Sequence, residues 1–272
     1  MKFTKLIGLF VLICFAFIYT DKVIDVTINQ DSIMTRIKEE ASNTNINPQN
    51  AIIDNNTIIP GTVGTYIDEL ASYKAMKKIG YYEPSLLIYK NIYPEVSIYN
   101  NYNKYIINGN IKLKNISLIY ILNSNNTLDK ILNITKKYNI IINFFIDSTY
   151  LNNNINIIND IIPNHIYNYG NNGIYTKDNL IITNNIINNK SNNPASFCLF
   201  LKEDTNSLTN CANSKMLSII PKDTINYYNI KSNLENGNII LINNTQELPN
   251  IIEYILSKGY NIVSLPELIK EV

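Results

Sequence analysis

One histidine, His165, and three cysteines, Cys14, Cys198 and Cys211, bound the chemistry open to this chain before any fold is considered. A metal site built on several imidazoles cannot be assembled from His165 alone. Cys198 and Cys211 stand thirteen residues apart, which is no ligand spacing, and zinc held by thiolates would need more of them. The residues therefore assign no metal and no cofactor. Acid and base work needs two titrating groups near each other, and the candidates close to strand ends are Asp147, Glu203 and Asp204. Asp147-Ser148-Thr149 reads as a helix cap and Lys202-Glu203-Asp204 as a solvated loop, while His165 reads as a structural residue at a strand start. Neither a Gly-x-Ser-x-Gly elbow nor a phosphate-cradling glycine loop occurs.

Composition narrows the partners. The 272 residues include 48 Asn and 52 Ile, a single arginine, Arg36, and no Trp, a profile that reads as codon bias of an AT-rich genome. With 46% apolar residues interleaved throughout, the chain is expected to fold rather than form an Asn-rich disordered tract. A net charge of +1 without a basic cluster argues against nucleic acid.

The N-terminus carries Met1-Lys2-Phe3-Thr4-Lys5, then an uncharged run from Leu6 to Thr20 that ends at Asp21-Lys22. This is an export signal. As a helix the run spans roughly 22 Å, short of the roughly 30 Å hydrocarbon core, and snorkelling by Lys5 and Lys22 closes the gap. Phe17-Ile18-Tyr19-Thr20 offers no small residues for cleavage and Ile13 before Cys14 is not a lipoprotein pattern, so residues 1–20 are expected to stay as a membrane anchor. The cell membrane, with a single pass and the C-terminal domain extracytoplasmic, is the expected location. Cys198 and Cys211 are then the pair that could bridge, two buried free thiols being the alternative.

The elements that must position these residues divide the chain. Residues 21–50 read as a stalk. Residues 51–110 read as a small helical block, with Thr65 and Asp68 as a capping box for a helix from Tyr66 to about Ile79 that presents Ile67, Leu70, Ala71, Met76 and Ile79 before Gly80. Pro84 opens a second helical turn through Leu86, Leu87 and Ile88. Within residues 111–272, short β-branched runs predict strands over 116–121, 139–146, 165–169, 196–201, 216–220, 238–242 and 261–264. The clearest intervening helices are Leu128 to Lys137 behind Thr127, and Leu248 to Lys258 before Gly259. Such alternation implies an α/β fold with a parallel sheet, as an open sheet or a barrel.

The closing stretch, Gly237-Asn238-Ile239-Ile240-Leu241-Ile242-Asn243, then Leu248 to Tyr260, then Val263-Ser264-Leu265-Pro266-Glu267-Leu268, resembles the end of polysaccharide deacetylases with the NodB homology domain. Ile142-Asn143-Phe144-Phe145 is similar to that family's Ala-Thr-Phe-Phe strand, and Ile116 to Leu122 to its first strand. The resemblance implies a deformed seven-stranded (β/α) barrel over about 111–272, preceded by the anchor and the helical block. It also implies metal-dependent deacetylation, and here each role falls on the wrong residue. The base and the metal carboxylate fall on Ile121 and Leu122, and the two His ligands on Gly170 and Ile174. The family's Arg loop falls near Phe197-Cys198-Leu199-Phe200, and the acid His on Asn243.

What remains at the expected barrel mouth is Asn123, Ser124, Asn243 and Asn244, with Tyr120 and Tyr169 nearby. Amides hydrogen-bond hydroxyls and aromatic faces stack on sugar rings, so Asn123, Tyr169, Asn243 and Asn244 are the candidate glycan contacts. The expected partner is a cell-wall glycan bound without turnover. An envelope protein docked on a scaffold is the alternative, and residual deacetylation comes last.

Overall fold

Asp31 caps a helix: its carboxylate accepts the Ile33 N–H at 2.9 Å, and α1 (Ser32–Thr44) follows with Ile33, Met34, Ile37 and Ala41 buried along one face. The structure is a computed structural model and describes residues 15–16, 22–23, 26–124, 127–191, 194–224 and 227–271. Next come β1 (Ile52–Asp54), β2 (Thr57–Ile59), β3 (Gly64–Ile67), α2 (Glu69–Lys77), β4 (Tyr89–Ile92) and β5 (Tyr105–Ile106). They are followed by β6 (Asn115–Leu122), α3 (Leu128–Tyr138), β7 (Asn143–Ile146), α4 (Ser148–Asn153), α5 (Ile157–Ile161), β8 (His165–Asn168) and α6 (Lys177–Lys190). The chain closes with β9 (Phe197–Leu199), α7 (Thr205–Asn213), β10 (Leu217–Ile219), β11 (Asp223–Thr224), α8 (Tyr227–Asn233), β12 (Ile239–Ile242), α9 (Leu248–Ser257), β13 (Asn261–Ile262) and α10 (Leu265–Leu268).

Two units result. Met1–Pro48 with Val63–Tyr93 form the smaller, in which α1 packs on α2 and the antiparallel pair β3–β4 sets Thr65 opposite Asn91. Its core is Ile33, Met34, Ile37, Ala41, Ile67, Tyr73 and Met76. This corrects the sequence reading. Residues 21–50 hold α1 as well as a linker, and residues 51–110 hold five short strands, one α-helix and two 3-10 turns, Ile98–Asn100 and Pro84–Leu86, the latter being the turn expected at Pro84. Thr65 belongs to β3, and its N–H donates to the Ile46 carbonyl at 2.9 Å. Asp68 therefore becomes the cap, accepting the Ala71 N–H at 3.0 Å, and α2 starts at Glu69. The helix turns accordingly: Ser72, Tyr73 and Met76 are buried, whereas Leu70 and Ile79 are 47% and 43% exposed.

Gln49–Thr62 with Pro94–Val272 form the larger unit. The seven expected strands are all present as β6, β7, β8, β9, β10, β12 and β13, and every pairing among them is parallel. They form two hydrogen-bonded arrays: β11-β12-β6-β7-β8, with β13 also on β6, and β1-β2-β5-β10-β9. Among the described residues β8 neighbours β9 without a ladder between them, so one closed seven-stranded ladder is not what forms. The unit also begins before residue 111, because β1, β2 and β5 extend the second array.

Strand alternation sorts the apolar side chains into two cores. Ile119, Phe145, Tyr167, Phe197, Leu199, Ile219, Ile239 and Leu241 from both arrays fill one. Leu118, Phe144, Ile146, Ile166, Ile240 and Ile242 face the other way, onto Ile131 of α3 and Ile251, Ile252 and Ile255 of α9. Each such burial contributes about 1.5–3 kcal/mol. Asn143, fully buried, clamps three segments: its Nδ2 donates to Ser117 Oγ at 3.1 Å and the Leu118 carbonyl at 3.0 Å, and its Oδ1 accepts the Leu265 N–H at 3.0 Å. No helix among the described residues is long and apolar enough to cross a membrane. The anchor expected over residues 1–20 lies outside the described residues, apart from Phe15 and Ala16.

Candidate functional site

Parallel pairing brings the C-terminal ends of β12, β6 and β7 side by side, with Ile242 opposite Tyr120 and Leu122 opposite Ile146. Asn123, Asn243 and Asn244 therefore share one edge. Asn123 and Asn243 are exposed, and Asn244 is half-buried, its Oδ1 accepting the Gln246 N–H at 2.9 Å. The aromatic residues expected beside them are elsewhere. Tyr169 is only 4% exposed and packs into the inner core, so it offers no face to a sugar. Tyr120 lies on the opposite side of β6 from Ile119, against the helices, with its hydroxyl bonded to that of Thr127. That contact also explains why Thr127 makes no side-chain cap on α3.

The positions assigned to the family's metal do not fit a metal. Ile121 is half-buried against the inner core, and Leu122 is fully buried beneath the helices. Gly170 and Ile174 close a tight turn: the Asn171 N–H donates to the Ile174 carbonyl at 3.0 Å and the Ile174 N–H returns to Asn171 at 3.0 Å. A Cβ on Gly170 would stand 2.4 Å from the Ile174 carbonyl oxygen, and φ at Gly170 is +65°. The position is thus closed to any side chain by backbone, beyond merely lacking an imidazole. Among the described residues no three His, Cys, Asp or Glu side chains gather in a way that could hold an ion.

The remaining candidates have structural duties. Asp147 caps α4, accepting the Tyr150 N–H at 3.0 Å, and its other oxygen accepts the Asn172 N–H at 2.7 Å. Asp204, read as part of a solvated loop, is the cap of α7: Ser207 and Asn206 N–H groups and the Ser207 hydroxyl bond its carboxylate, Ser207 chiefly holding it below the usual carboxylate range. Exposed Glu203 accepts Asn56 Nδ2 at 3.2 Å. His165 is half-buried with its Nδ1 3.1 Å from the Tyr167 hydroxyl, and burial pushes its imidazole below the ordinary value. Phe197 to Leu199, near where the resemblance placed the family's Arg loop, form the expected strand β9, and Cys198 within it is bridged to Cys211 of α7.

Two buried polar residues were not singled out in the sequence. Asn168 is fully buried and accepts both the Gly170 N–H at 2.6 Å and the Ser148 hydroxyl at 3.0 Å, while its Nδ2 donates to the Asn179 carbonyl and Asn184 Oδ1. It fixes the turn that closes Gly170. Glu271, also buried, accepts the Gly61 and Ile98 N–H groups and the Ser97 hydroxyl.

Parallel strands with helices outside make a fold similar to that of the polysaccharide deacetylases. The chain is similar to BA3943 of Bacillus anthracis, a CE4 family pseudoenzyme, with a TM-score of 0.65 and 24% identity over 89% of this chain and 96% of that one. It is also similar to the Bc1960 peptidoglycan N-acetylglucosamine deacetylase, with a TM-score of 0.54 and 19% identity over 61% of this chain and 92% of that one. In sequence it matches the uncharacterized protein YlxY of Bacillus subtilis (strain 168), 29% identical over 154 residues, 54% of this chain. The match spans about half of that curated relative, 48% of its length. No family profile matches the chain.

Proposed function

We propose that this chain is a catalytically inactive member of the polysaccharide deacetylase class, with its seven parallel strands acting as a deformed barrel, which binds cell-envelope glycan without hydrolysing it. The observation that carries the loss of catalysis is the closure of Gly170 by the Ile174 carbonyl, 2.4 Å from where a Cβ would stand. Exposed amides at Asn123 and Asn243 support glycan contact at the strand ends. One fold neighbour is named a peptidoglycan N-acetylglucosamine deacetylase, and another, BA3943, is a pseudoenzyme. Attachment to the membrane through residues 1–20 is supported by the uncharged run between Lys5 and Asp21, and an oxidising outer compartment by the Cys198–Cys211 bridge. The envelope-scaffold alternative draws on exposed Tyr89, Ile92 and Tyr93 along β4 and just past it.

Metal analysis tests the loss of catalysis. The purified chain should hold no stoichiometric zinc, and the Gly170→His variant should gain none while losing stability. A variant of BA3943 has restored enzymatic activity; here a restored imidazole meets backbone. One tightly held zinc per chain, in either protein, would overturn the proposal.

A further inference from the structure

The structure assigns a second place for the sugar: we infer that the cleft between α8 and α9, lined by Tyr227, Asn250, Glu253, Tyr254 and Ser257, is a saccharide-binding site. This rests on the glycan-binding reading and moves its main contact away from the strand ends, where Tyr169 packs into the inner core and Tyr120 against the helices. The cleft measures about 440 Å³, within the span of small-ligand sites. Tyr227 and Tyr254 meet at 6.1 Å between ring centres and 71° between planes, so one ring can serve as floor and the other as wall for a pyranose. Tyr228 continues the aromatic surface at 6.4 Å from Tyr227 and is 82% exposed.

Polar groups surround these rings. Glu253 is anchored by the Tyr138 hydroxyl, which donates to its Oε1 at 2.6 Å and leaves Oε2 to accept from a sugar hydroxyl. Exposed Asn250 offers both a donor and an acceptor. The Lys231 ammonium lies 5.4 Å from the Tyr227 ring centre and 6.0 Å from that of Tyr254. With Lys258, whose ammonium stands 5.4 Å from the Tyr254 ring centre, and Glu253, the cleft carries both signs of charge, and its hydrogen-bonding groups suit the hydroxyls of a polyol. The Tyr227 N–H donates to Glu247 Oε2 at 3.1 Å, tying the cleft to the loop that carries Asn243 and Asn244.

Calorimetric titration of the full chain in mild detergent with chitotetraose tests the assignment, using Tyr254→Leu, Tyr228→Ala and Glu253→Gln, with Asn243→Ala for comparison. Tyr228 and Glu253 are exposed, so their variants should keep the parent melting temperature. Each cleft variant should weaken binding about tenfold, and Asn243→Ala by less than about threefold. Binding untouched by the cleft variants and lost with Asn243→Ala would overturn the cleft while leaving glycan binding in place. No saturable binding to the parent chain would overturn both.

Discussion

At the scale of single residues, the sequence bounds the metal chemistry that imidazoles could supply. One histidine cannot supply two ligands and an acid, and no fold changes that count. What residue types could not reveal is orientation. Tyr120 and Tyr169 look like sugar contacts until strand parity is known: Ile119 and Ile121 face the inner core, so Tyr120 between them must face out, and Tyr169 falls inside. Both sides of β6 are apolar, and the sequence therefore carries no sign of which is which. Asn168 and Asn143 were hidden by the abundance of their type, although each ties several segments. His165 gives a test at this scale. Burial holds its folded-state pKa below the usual value near 6.5, so as pH falls the unfolded chain takes up the proton first. The stability it contributes is present above about pH 6.5 and is lost as pH falls through the folded value. Thermal melts between about pH 7.5 and 5 should show a falling midpoint, and His165→Gln should flatten that slope. An equal slope in the variant would show that the imidazole is not the group responsible.

Among the elements, those with strong local signals were read well and those that depend on distant partners were not. The β-branched runs of β6, β7, β8 and β12 are apolar on both faces, as buried parallel strands require. In contrast β1 to β5 are two to four residues long and exist through pairing, β5 between β2 and β10 and β3 against β4. A three-residue strand has no period to detect, and Thr65 passed for a helix cap because its strand partners were out of view. The disulfide fastens the predicted strand β9 to α7, a helix the sequence reading did not single out, across a sequence separation of 13. On the chain-entropy account, closing such a loop stabilises by about 3 kcal/mol. The Cys198→Ala, Cys211→Ala double variant should lose about 2–4 kcal/mol in urea unfolding while keeping its secondary structure. A loss under about 0.5 kcal/mol, or two thiols that react freely without reductant, would remove the bridge from the account.

At the scale of the whole molecule, parallel pairing aligns the strand ends of the larger unit, helices cover its outer core, and exposed amides stand at those ends. The fold alone assigns no activity. The central claim is that glycan is bound and left intact. Titrating the full chain with chitotetraose and with peptidoglycan fragments, and measuring acetate in the same samples with and without a chelator, tests it most directly. The account predicts saturable binding with acetate at background in every sample. Acetate release well above background that a chelator abolishes, or no saturable binding at millimolar sugar, would contradict it.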